Sequence, residues 1–288
     1  MITTKPLIGI LATPYIKNNN SNEIFLKENL IKFLKQNSID HIIIPYTIKK
    51  LELNKIVSNL DGILFPGSQI GNYYNNKSIK HHFLTQKYIV KKVKFLANNN
   101  RPIPILAICH GYENMILIEK NYNLTKKNIN NTFINVNSYS NYKTIPKFSN
   151  NKMGKLYKKN FNKTKKLVHN NSLALELGVY RKQKNKNYEV IATSLDKNNK
   201  EFIDIVKHKK YPFYGFQGHP EINNTKLFSP FIDYVNKNFT KKNVSQTLKR
   251  FKSSDFIKLK SRKVFCKKYK LAKTIKEGKC MFYKIKNI

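Results

Sequence analysis

The sequence predicts an α/β fold with a mostly parallel sheet that is covered by helices on both faces. Short apolar runs rich in Ile, Leu and Val alternate with segments whose apolar residues recur at helical spacing. Consecutive apolar positions are typical of strands that are buried on both faces. Glycine or proline follows several of these runs, as expected where strands end at turns. Strands that alternate with helices form βαβ units and therefore a parallel sheet.

The amino-terminal half contains four of the predicted strands. They lie at 7–11, 42–45, 62–65 and 103–108. The segments between them have helical periodicity. The helical positions are Leu26, Leu30, Phe33 and Leu34 on one face of a first helix, Ile56 and Leu60 in a short second one, and 88–96 in a third. Strand and helix therefore alternate through this half.

The carboxyl-terminal half is less regular. Residues 122–171 are polar and rich in Asn, so we expect only short strands there, near 132–136 and 173–175, with loops between them. The elements predicted next are a strand pair at 190–193 and 203–206, an aromatic strand at 211–217, and a helix containing Leu227, Phe231 and Val235. The chain becomes strongly basic beyond about residue 238. We therefore predict an α/β domain at 1–240 and a basic carboxyl-terminal appendage at 241–288.

The amino-acid composition limits which partners and cofactors are expected. The 288 residues carry a formal net charge of +39, which attracts anionic partners, including nucleic acid without sequence specificity. Lys, Asn, Ile and Tyr are over-used throughout and Trp is absent, which favours a genome-wide compositional drift over a dedicated nucleic-acid function. Three cysteines without tight spacing argue against a disulfide framework and a metal cluster, so we predict no metal and no other cofactor.

No targeting or membrane-spanning segment is visible in the sequence. Residues 1–5 are too short and polar for the apolar part of a signal peptide, and no apolar run reaches the length that a bilayer requires. We therefore expect a cytoplasmic protein without a membrane partner. The oligomeric state is left open, with a homodimer as one candidate.

The stretch around Cys109 has the layout of a nucleophile elbow. An apolar run ends at Cys109, Gly111 follows two residues later, and a helix-like segment comes next. In such an elbow, small residues let the backbone bend sharply and lift one side chain above the sheet edge. The positive end of the following helix favours a thiolate. The alternative interpretation of Cys109 is a small buried hydrophobic residue.

The sequence His219-Pro220-Glu221 supplies the other parts of a triad. A residue before proline is pushed toward an extended conformation, in which positions i and i+2 face the same side. His219 and Glu221 can therefore project together, so that the carboxylate fixes the imidazole tautomer. Taken alone, the pair is better explained as part of a surface loop. Together with Cys109, it provides a candidate general base and an orienting acid for the thiolate.

Four motifs in this order resemble the class I glutamine amidotransferase-like superfamily. They are residues 6–14, Asp-Gly-Ile-Leu-Phe-Pro-Gly at 61–67, the Cys109 elbow, and residues 211–221. Within the superfamily they are most similar to the gamma-glutamyl hydrolases, which are folate polyglutamate hydrolases, because Tyr-Pro-x-Tyr-Gly-x-Gln precedes the histidine. The resemblance covers about residues 5–240.

The resemblance implies a flavodoxin-like sheet and a cysteine hydrolase that cleaves γ-glutamyl amide bonds through a thioester. The positions that match the family's catalytic residues are Cys109, His219 and Glu221. Backbone N–H groups near Gly67 and Ser68 and at His110 would stabilise the oxyanion. Glu113, four residues after the nucleophile, and His169 match two further residues of the hydrolases' site.

Besides a mild change at Ala107, where the family has the first glycine of the elbow, two positions depart from the family pattern. Ser68 stands where the family has a second glycine, which would alter the oxyanion loop. Gly218 stands where an aromatic residue is usual, which would remove one wall of the substrate pocket. Neither departure removes the nucleophile or the base.

Several functions fit these observations. We expect a small anionic γ-glutamyl substrate, first of all a folate poly-γ-glutamate, because its charge suits a basic protein. A hydrolase of smaller γ-glutamyl amines is the second enzyme hypothesis. An ammonia-channelling amidotransferase fits less well, because no synthetase domain is fused and Glu113 replaces the usual Gln. The non-enzyme alternative is a basic nucleic-acid-binding module on an inactive version of the fold.

Overall fold

The computed structural model describes residues 5–15, 23–68, 74–183, 186–239, 271–277 and 280–285. Its strands are β1 (Leu7–Leu11), β2 (Thr13–Tyr15), β3 (Glu23–Lys27), β4 (Asp40–Ile44), β5 (Gly62–Phe65), β6 (Ile105–Ile108), β7 (Ile134–Thr144), β8 (Lys147–Phe148), β9 (Leu167–Ala174), β10 (Tyr188–Leu195), β11 (Glu201–His208), β12 (Phe213–Phe216), β13 (Leu271–Glu277) and β14 (Cys280–Ile285). Its helices are α1 (Glu28–Gln36), α2 (Lys50–Val57), α3 (Lys77–Asn98), α4 (His110–Glu119), α5 (Lys126–Asn130), α6 (Lys152–Asn160), α7 (Leu177–Arg181), α8 (Pro220–Asn223) and α9 (Ser229–Asn238).

The central sheet has eight strands in the order β4-β1-β5-β6-β12-β11-β10-β8. The pairings from β4 to β12 are parallel, and those from β12 to β8 are antiparallel. Every residue of β1, β5, β6 and β12 is buried, which explains why these strands are continuous apolar runs. The predicted α/β class with a mostly parallel sheet is confirmed.

Helices cover both faces of this sheet. On one face α3 contacts both α2 and α4. On the other face α1 contacts α8, and a buried aromatic cluster joins α1 to the sheet: the ring of Phe228 lies 5.1 Å from that of Phe33 and 5.2 Å from that of Phe216, in edge-to-face geometry. The arrangement is the flavodoxin-like architecture that the motifs imply. Among the described residues, no helix is long and apolar enough to cross a membrane.

The segment 122–171 differs from its prediction. It contains helices α5 and α6, and the 11-residue strand β7 pairs antiparallel with β9 in a separate two-stranded sheet. The predicted strands at 132–136 and 173–175 correspond to one end of this pair, where Ile134 lies opposite Ala174. Polar side chains cap both helices: Asn151 caps α6 by accepting from the Gly154 N–H at 2.7 Å, and Thr125 caps α5 by accepting from the Asn128 N–H at 3.2 Å. In so Asn-rich a segment, a helix cap cannot be told from a loop by sequence pattern.

A further difference concerns the first predicted helix. Leu26 lies in β3, and the helix begins only at Glu28. The strand exists because β3 pairs antiparallel with both β2 and β14 in a second sheet, ordered β13-β14-β3-β2. Residues 271–277 and 280–285 of the predicted appendage thus lie in one sheet with residues near the amino terminus. Residues 240–270 lie outside the described residues, and the division at 240 stays a prediction.

The parallel pairing brings three predicted motifs to one edge of the central sheet. Phe65 pairs with Ala107, and Ile108 pairs with Phe216. The residues that follow these strands therefore emerge side by side at their carboxyl ends, where open α/β sheets place their sites.

Candidate active site

Cys109 occupies a sharp turn between β6 and α4. Its backbone has φ 50° and ψ −116°, in the positive-φ region that a residue with a Cβ rarely adopts. Two contacts hold this conformation: the Cys109 N–H donates to the Phe216 carbonyl at 2.7 Å, and the Cys109 carbonyl accepts from the Glu113 N–H at 2.9 Å. A Cβ on Gly111 would come within 2.4 Å of the Phe65 carbonyl oxygen, so glycine is required for this close approach. The predicted elbow is present in the structure.

His219 and Glu221 form a buried pair at the end of β12. Nδ1 of His219 lies 2.9 Å from Oε1 of Glu221, and both residues are buried. The backbone differs from the extended dipeptide that the sequence predicts, because Pro220 begins helix α8 and Glu221 is helical. Proline is favoured at the first position of a helix, where its missing N–H costs nothing. The side chains meet across a helix start rather than along a strand.

Gly67 lies between Cys109 and His219. A Cβ built on Gly67 would be 3.0 Å from Cε1 of His219 and 3.1 Å from Cβ of Cys109. These two side chains therefore converge on one point at the sheet edge. Nδ1 of His219 is directed to Glu221, so a base that acts on a thiol or a substrate would use the other ring nitrogen, Nε2. The three predicted catalytic residues are brought together here.

Ser68 and His110 turn their side chains away from that point. The Ser68 hydroxyl donates to the Pro14 carbonyl at 3.3 Å, which ties the loop after β5 to β2. The His110 ring is fully buried, with Nε2 2.9 Å from Nδ2 of Asn114. Burial lowers the pKa of His110 to about 3, so the ring is neutral at physiological pH. Only the backbone groups of His110 are suited to the predicted oxyanion role.

Glu113 is a buried carboxyl group on α4. Its Oε1 accepts from Nε2 of Gln217 at 2.9 Å. Burial raises the pKa of Glu113 to about 7, with the Gln217 hydrogen bond acting in the opposite direction. The contact joins α4, the helix after Cys109, to the residues before His219. Gln217 belongs to the aromatic motif, but no feature of that motif predicts a hydrogen bond from its side chain to Glu113.

His169 lies in a buried network of polar side chains. Its Nε2 is 2.9 Å from the Thr144 hydroxyl and 3.5 Å from Oδ2 of Asp204. The Ser194 hydroxyl donates to Oδ2 of Asp204 at 2.5 Å and lies 3.0 Å from the Thr144 hydroxyl. Thr144 therefore donates to Ser194, and Nε2–H of His169 donates to Thr144. Burial lowers the pKa of His169, although Asp204 acts to raise it.

The same network supports the residues before His219. Oδ1 of Asp204 accepts from the Gly218 N–H at 3.1 Å. A Cβ on Gly218 would lie 2.8 Å from Cγ of Leu167 and 3.0 Å from Cε1 of His169, so Leu167 and His169 fill the space beside this residue. This explains the departure from the family pattern at Gly218. Asp204 was not predicted as a site residue, although a carboxylate inside the apolar run 203–206 was a signal for a buried polar role.

The assembled groups are suited to acyl transfer. A thiol at a strained turn, an imidazole facing it and a carboxylate on the far ring nitrogen supply a nucleophile, a base and an orienting group. In the described part of the chain, no three His, Cys, Asp or Glu side chains are grouped so that they could hold a metal ion.

Fold and site together define an α/β protein with a cysteine in a sharp strand-to-helix turn, at the carboxyl ends of the parallel strands. The chain belongs to the class-I glutamine amidotransferase family, which matches residues 21–232. The glutaminase domain of Trypanosoma brucei CTPS, solved with bound acivicin, shares the fold with a TM-score of 0.56 at 12% identity, over 81% of this chain and 94% of that domain.

The chain is also similar to two curated gamma-glutamyl hydrolases. Gamma-glutamyl hydrolase 1 of Arabidopsis thaliana is 23% identical over 234 residues, and gamma-glutamyl hydrolase B of Dictyostelium discoideum is 25% identical over 235 residues. Each match covers 76% of this chain but 63% of the relative, so the chain spans less than two thirds of the length of these relatives. The resemblance predicted from the four motifs is confirmed.

Proposed function

We propose that the protein hydrolyses γ-glutamyl amide bonds, with Cys109 as the nucleophile. The observation that supports this most strongly is the convergence of Cys109 and His219 on Gly67, with Glu221 bonded to the far side of the imidazole. The named activity of the similar curated hydrolases supports the choice of bond. Roles for the individual residues follow from the geometry of the site.

In the first half of the reaction, Nε2 of His219 accepts the thiol proton of Cys109, and the thiolate attacks the γ-carbonyl carbon. Glu221 holds the ring tautomer and stabilises the imidazolium. The backbone N–H groups of His110 and of the loop at Gly67 and Ser68 stabilise the oxyanion of the tetrahedral intermediate. The C–N bond then breaks, the leaving amine takes the proton from His219, and a thioester remains on Cys109.

In the second half, His219 accepts a proton from water, and the resulting hydroxide attacks the thioester carbonyl. The same N–H groups stabilise a second oxyanion. The C–S bond breaks, the proton held by His219 returns to the sulfur, and the carboxylic acid product leaves. The enzyme is regenerated without any net change in its groups.

For the substrate we propose folate poly-γ-glutamates, with smaller γ-glutamyl amines as the alternative. Each glutamyl unit of a poly-γ-glutamate carries a free carboxylate, so the chain is polyanionic. The formal net charge of +39 attracts such a substrate and raises its rate of encounter.

The same charge supports a second candidate function, which is nucleic-acid binding on an inactive version of the fold. Binding of that kind depends steeply on salt and is insensitive to the active-site thiol. The two candidates therefore differ in their response to a change at Cys109.

Mass spectrometry of folate polyglutamates incubated with the purified protein tests the proposal. We expect shortened glutamate chains with the wild type and none with Cys109→Ser, because a serine hydroxyl is hardly ionised where a thiolate acts. A Cys266→Ser variant is the control, since Cys266 lies outside the described residues and outside the four motifs. Intact polyglutamates and intact small γ-glutamyl amides with the folded wild-type protein would contradict the proposal.

A further inference from the structure

Helices α3 and α4 contact each other partly through buried polar side chains. His82 and Gln86 lie one turn apart on α3, and His110 and Asn114 lie one turn apart on α4. All four side chains are fully buried. The other buried residues of α3 are mostly apolar. Polar groups in such an interface need hydrogen-bond partners, so their contacts identify what they hold in place.

Gln86 bonds α3 to the beginning of α4. Its Nε2–H donates to the Gly111 carbonyl at 2.7 Å, and its Oε1 accepts from Nδ2 of Asn114 at 3.1 Å. The second hydrogen of the Asn114 amide is available for Nε2 of His110, at 2.9 Å. The rings of His82 and His110 pack beside these bonds, with centroids 5.3 Å apart. Both ends of the Gln86 amide are therefore bonded to the first two turns of α4.

The turn that Gln86 bonds is the one that follows Cys109. It begins at His110, whose backbone N–H is a proposed oxyanion donor. The same turn contacts β5 closely, because a Cβ on Gly111 would come within 2.4 Å of the Phe65 carbonyl oxygen. One contact with β5 and one with Gln86 of α3 therefore fix where this turn lies.

The gain from these bonds is in position more than in stability. A hydrogen bond adds little net free energy to folding, because the unfolded chain makes similar bonds to water, and apolar groups of the same shape can replace a bonded pair almost without loss. However, a hydrogen bond is strong only over a narrow range of distance and angle. A fully bonded polar network therefore specifies one arrangement of two helices more tightly than apolar contacts do.

We propose that Gln86 is a positioning residue, which holds the first turn of α4 where the His110 N–H can bond the developing oxyanion. The inference rests on the proposed function, because it takes this N–H as an oxyanion donor. Such a donor must lie about 2.7–3.1 Å from the oxyanion, and a displacement of about 1 Å can lower the rate about a hundredfold. The oxyanion forms only after the thiolate attacks, so the effect belongs to kcat and not to KM.

Gln86→Met tests this role in the full-length protein. Methionine is unbranched and flexible like glutamine, but it has neither the N–H donor nor the carbonyl acceptor. The Asn114 amide keeps its contact with His110. The matched control is Thr85→Val at the neighbouring position of α3. It removes the buried hydrogen bond from the Thr85 hydroxyl to the Tyr46 carbonyl, at 2.7 Å, which does not involve α4.

We expect Gln86→Met to lower kcat for a γ-glutamyl amide about tenfold to hundredfold, with KM near the wild-type value. Alkylation of Cys109 by iodoacetamide, followed by mass spectrometry of the Cys109 peptide, should keep its wild-type rate, because it needs a thiolate but forms no oxyanion. Thr85→Val should match wild type in both assays.

Thermal unfolding checks that each variant is folded, and Gln86→Leu replaces Gln86→Met if the methionine variant is not. A wild-type kcat in the folded Gln86 variant would overturn the proposal, as would an equal loss of kcat in Thr85→Val. A parallel loss of the alkylation rate would also overturn it, because Cys109 itself would then be affected.

The ester p-nitrophenyl acetate separates a failure of this inference from a failure of the proposed function. It transfers its acetyl group to a thiolate through a tetrahedral oxyanion and releases p-nitrophenolate, whatever amide the enzyme cleaves. Release by Cys109→Ala protein is subtracted as background. Slower release by Gln86→Met supports the inference even if no γ-glutamyl bond is hydrolysed, and release at the wild-type rate would overturn it. A wild type that is inactive on both substrates would contradict the proposed function and the inference together.

Discussion

His219 is the general base and general acid of the proposed reaction, because it accepts and returns a proton in each half. His169 is the competing candidate base, since it matches the family and lies against Gly218. The hydrogen-bond network distinguishes the two. Nε2–H of His169 is engaged with Thr144, whereas Nδ1 of His219 is held by Glu221 and its ring edge faces Gly67 beside Cys109.

We therefore expect His219→Ala to lower kcat by about a hundredfold to ten-thousandfold, the usual loss when a general base is removed. His169→Ala should act mainly on stability, because it leaves Thr144 and Asp204 buried with a missing partner. Turnover and thermal unfolding of both variants, measured side by side, check this. Near-normal turnover in the His219 variant with an inactive but folded His169 variant would reverse the assignment.

Glu113 gives a prediction about stability and pH. Its pKa is about 7 in the folded protein, above its ordinary value of 4.5, because burial disfavours the carboxylate. Between these two pH values the folded protein holds a proton that the unfolded chain has released. The free energy of unfolding therefore falls as the pH rises from about 4.5 to about 7, and the penalty of about 3 kcal/mol persists above that range.

Glu113→Gln should remove this penalty while keeping an acceptor for Gln217. We expect the variant to match wild type near pH 5 and to be more stable than wild type near pH 8. Chemical denaturation at both pH values measures the difference, with Glu52→Gln at an exposed position of α2 as the control. A difference between Glu113→Gln and wild type that is the same at both pH values would contradict the assigned cause.

At the scale of elements, the strand-to-helix turn depends on the close approach of α4 to β5. The Gly111 position has no room for a methyl group, because the nearest atom is a backbone oxygen that cannot rotate away. Gly111→Ala should therefore destabilise the protein by about 1–3 kcal/mol and displace Cys109. Gly178→Ala is a matched control on α7, where the nearest atom to a new Cβ is 3.5 Å away and the position is exposed.

The control should be neutral or stabilise the protein by up to about 1 kcal/mol, since alanine is the better helix former. Thermal unfolding and turnover of the two variants give the comparison. Equal stability of the two alanine variants would mean that β5 and α4 can separate without cost, against the packing described above.

Whether the sequence pattern predicts a strand depends on what that strand packs against. The strands β1, β5, β6 and β12 were predicted because burial on both faces demands continuous apolar residues. The strand β3 was not predicted, because its buried residue Leu26 also lies at helical spacing from Leu30 and Leu34 in α1. Its pairing with β2 and β14 makes it a strand, and that pairing is not visible in the local pattern.

The candidate site likewise contains contacts that can be predicted from the sequence and contacts that cannot. Cys109, His219 and Glu221 follow strand ends, so their meeting could be inferred from motif order and parallel pairing. The contacts of Asp204 could not, because they depend on hydrogen bonds to Gly218 and Ser194 across two different elements. The start of α8 at Pro220 was also mistaken for extended chain, although the His219–Glu221 contact was predicted.

For the molecule as a whole, the next prediction concerns how far the turnover and solubility of the α/β domain depend on residues 241–288. All four motifs lie before residue 240, and the described contacts of Cys109, His219 and Gly67 involve residues of that part. A chain that ends at Thr240 loses the strand that pairs with β3, and its formal net charge falls to +24. Chemistry and solubility should therefore respond differently to the truncation.

We expect the truncated chain to retain kcat on a small γ-glutamyl amide, because no proposed catalytic group is removed. It should aggregate more readily, since β3 then presents an unpaired edge and the repulsion between molecules is weaker. Steady-state kinetics and light scattering on the truncated and full-length chains measure the two effects separately. A truncated protein that stays folded and monomeric but has lost turnover on the small substrate would place residues 241–288 within the catalytic unit.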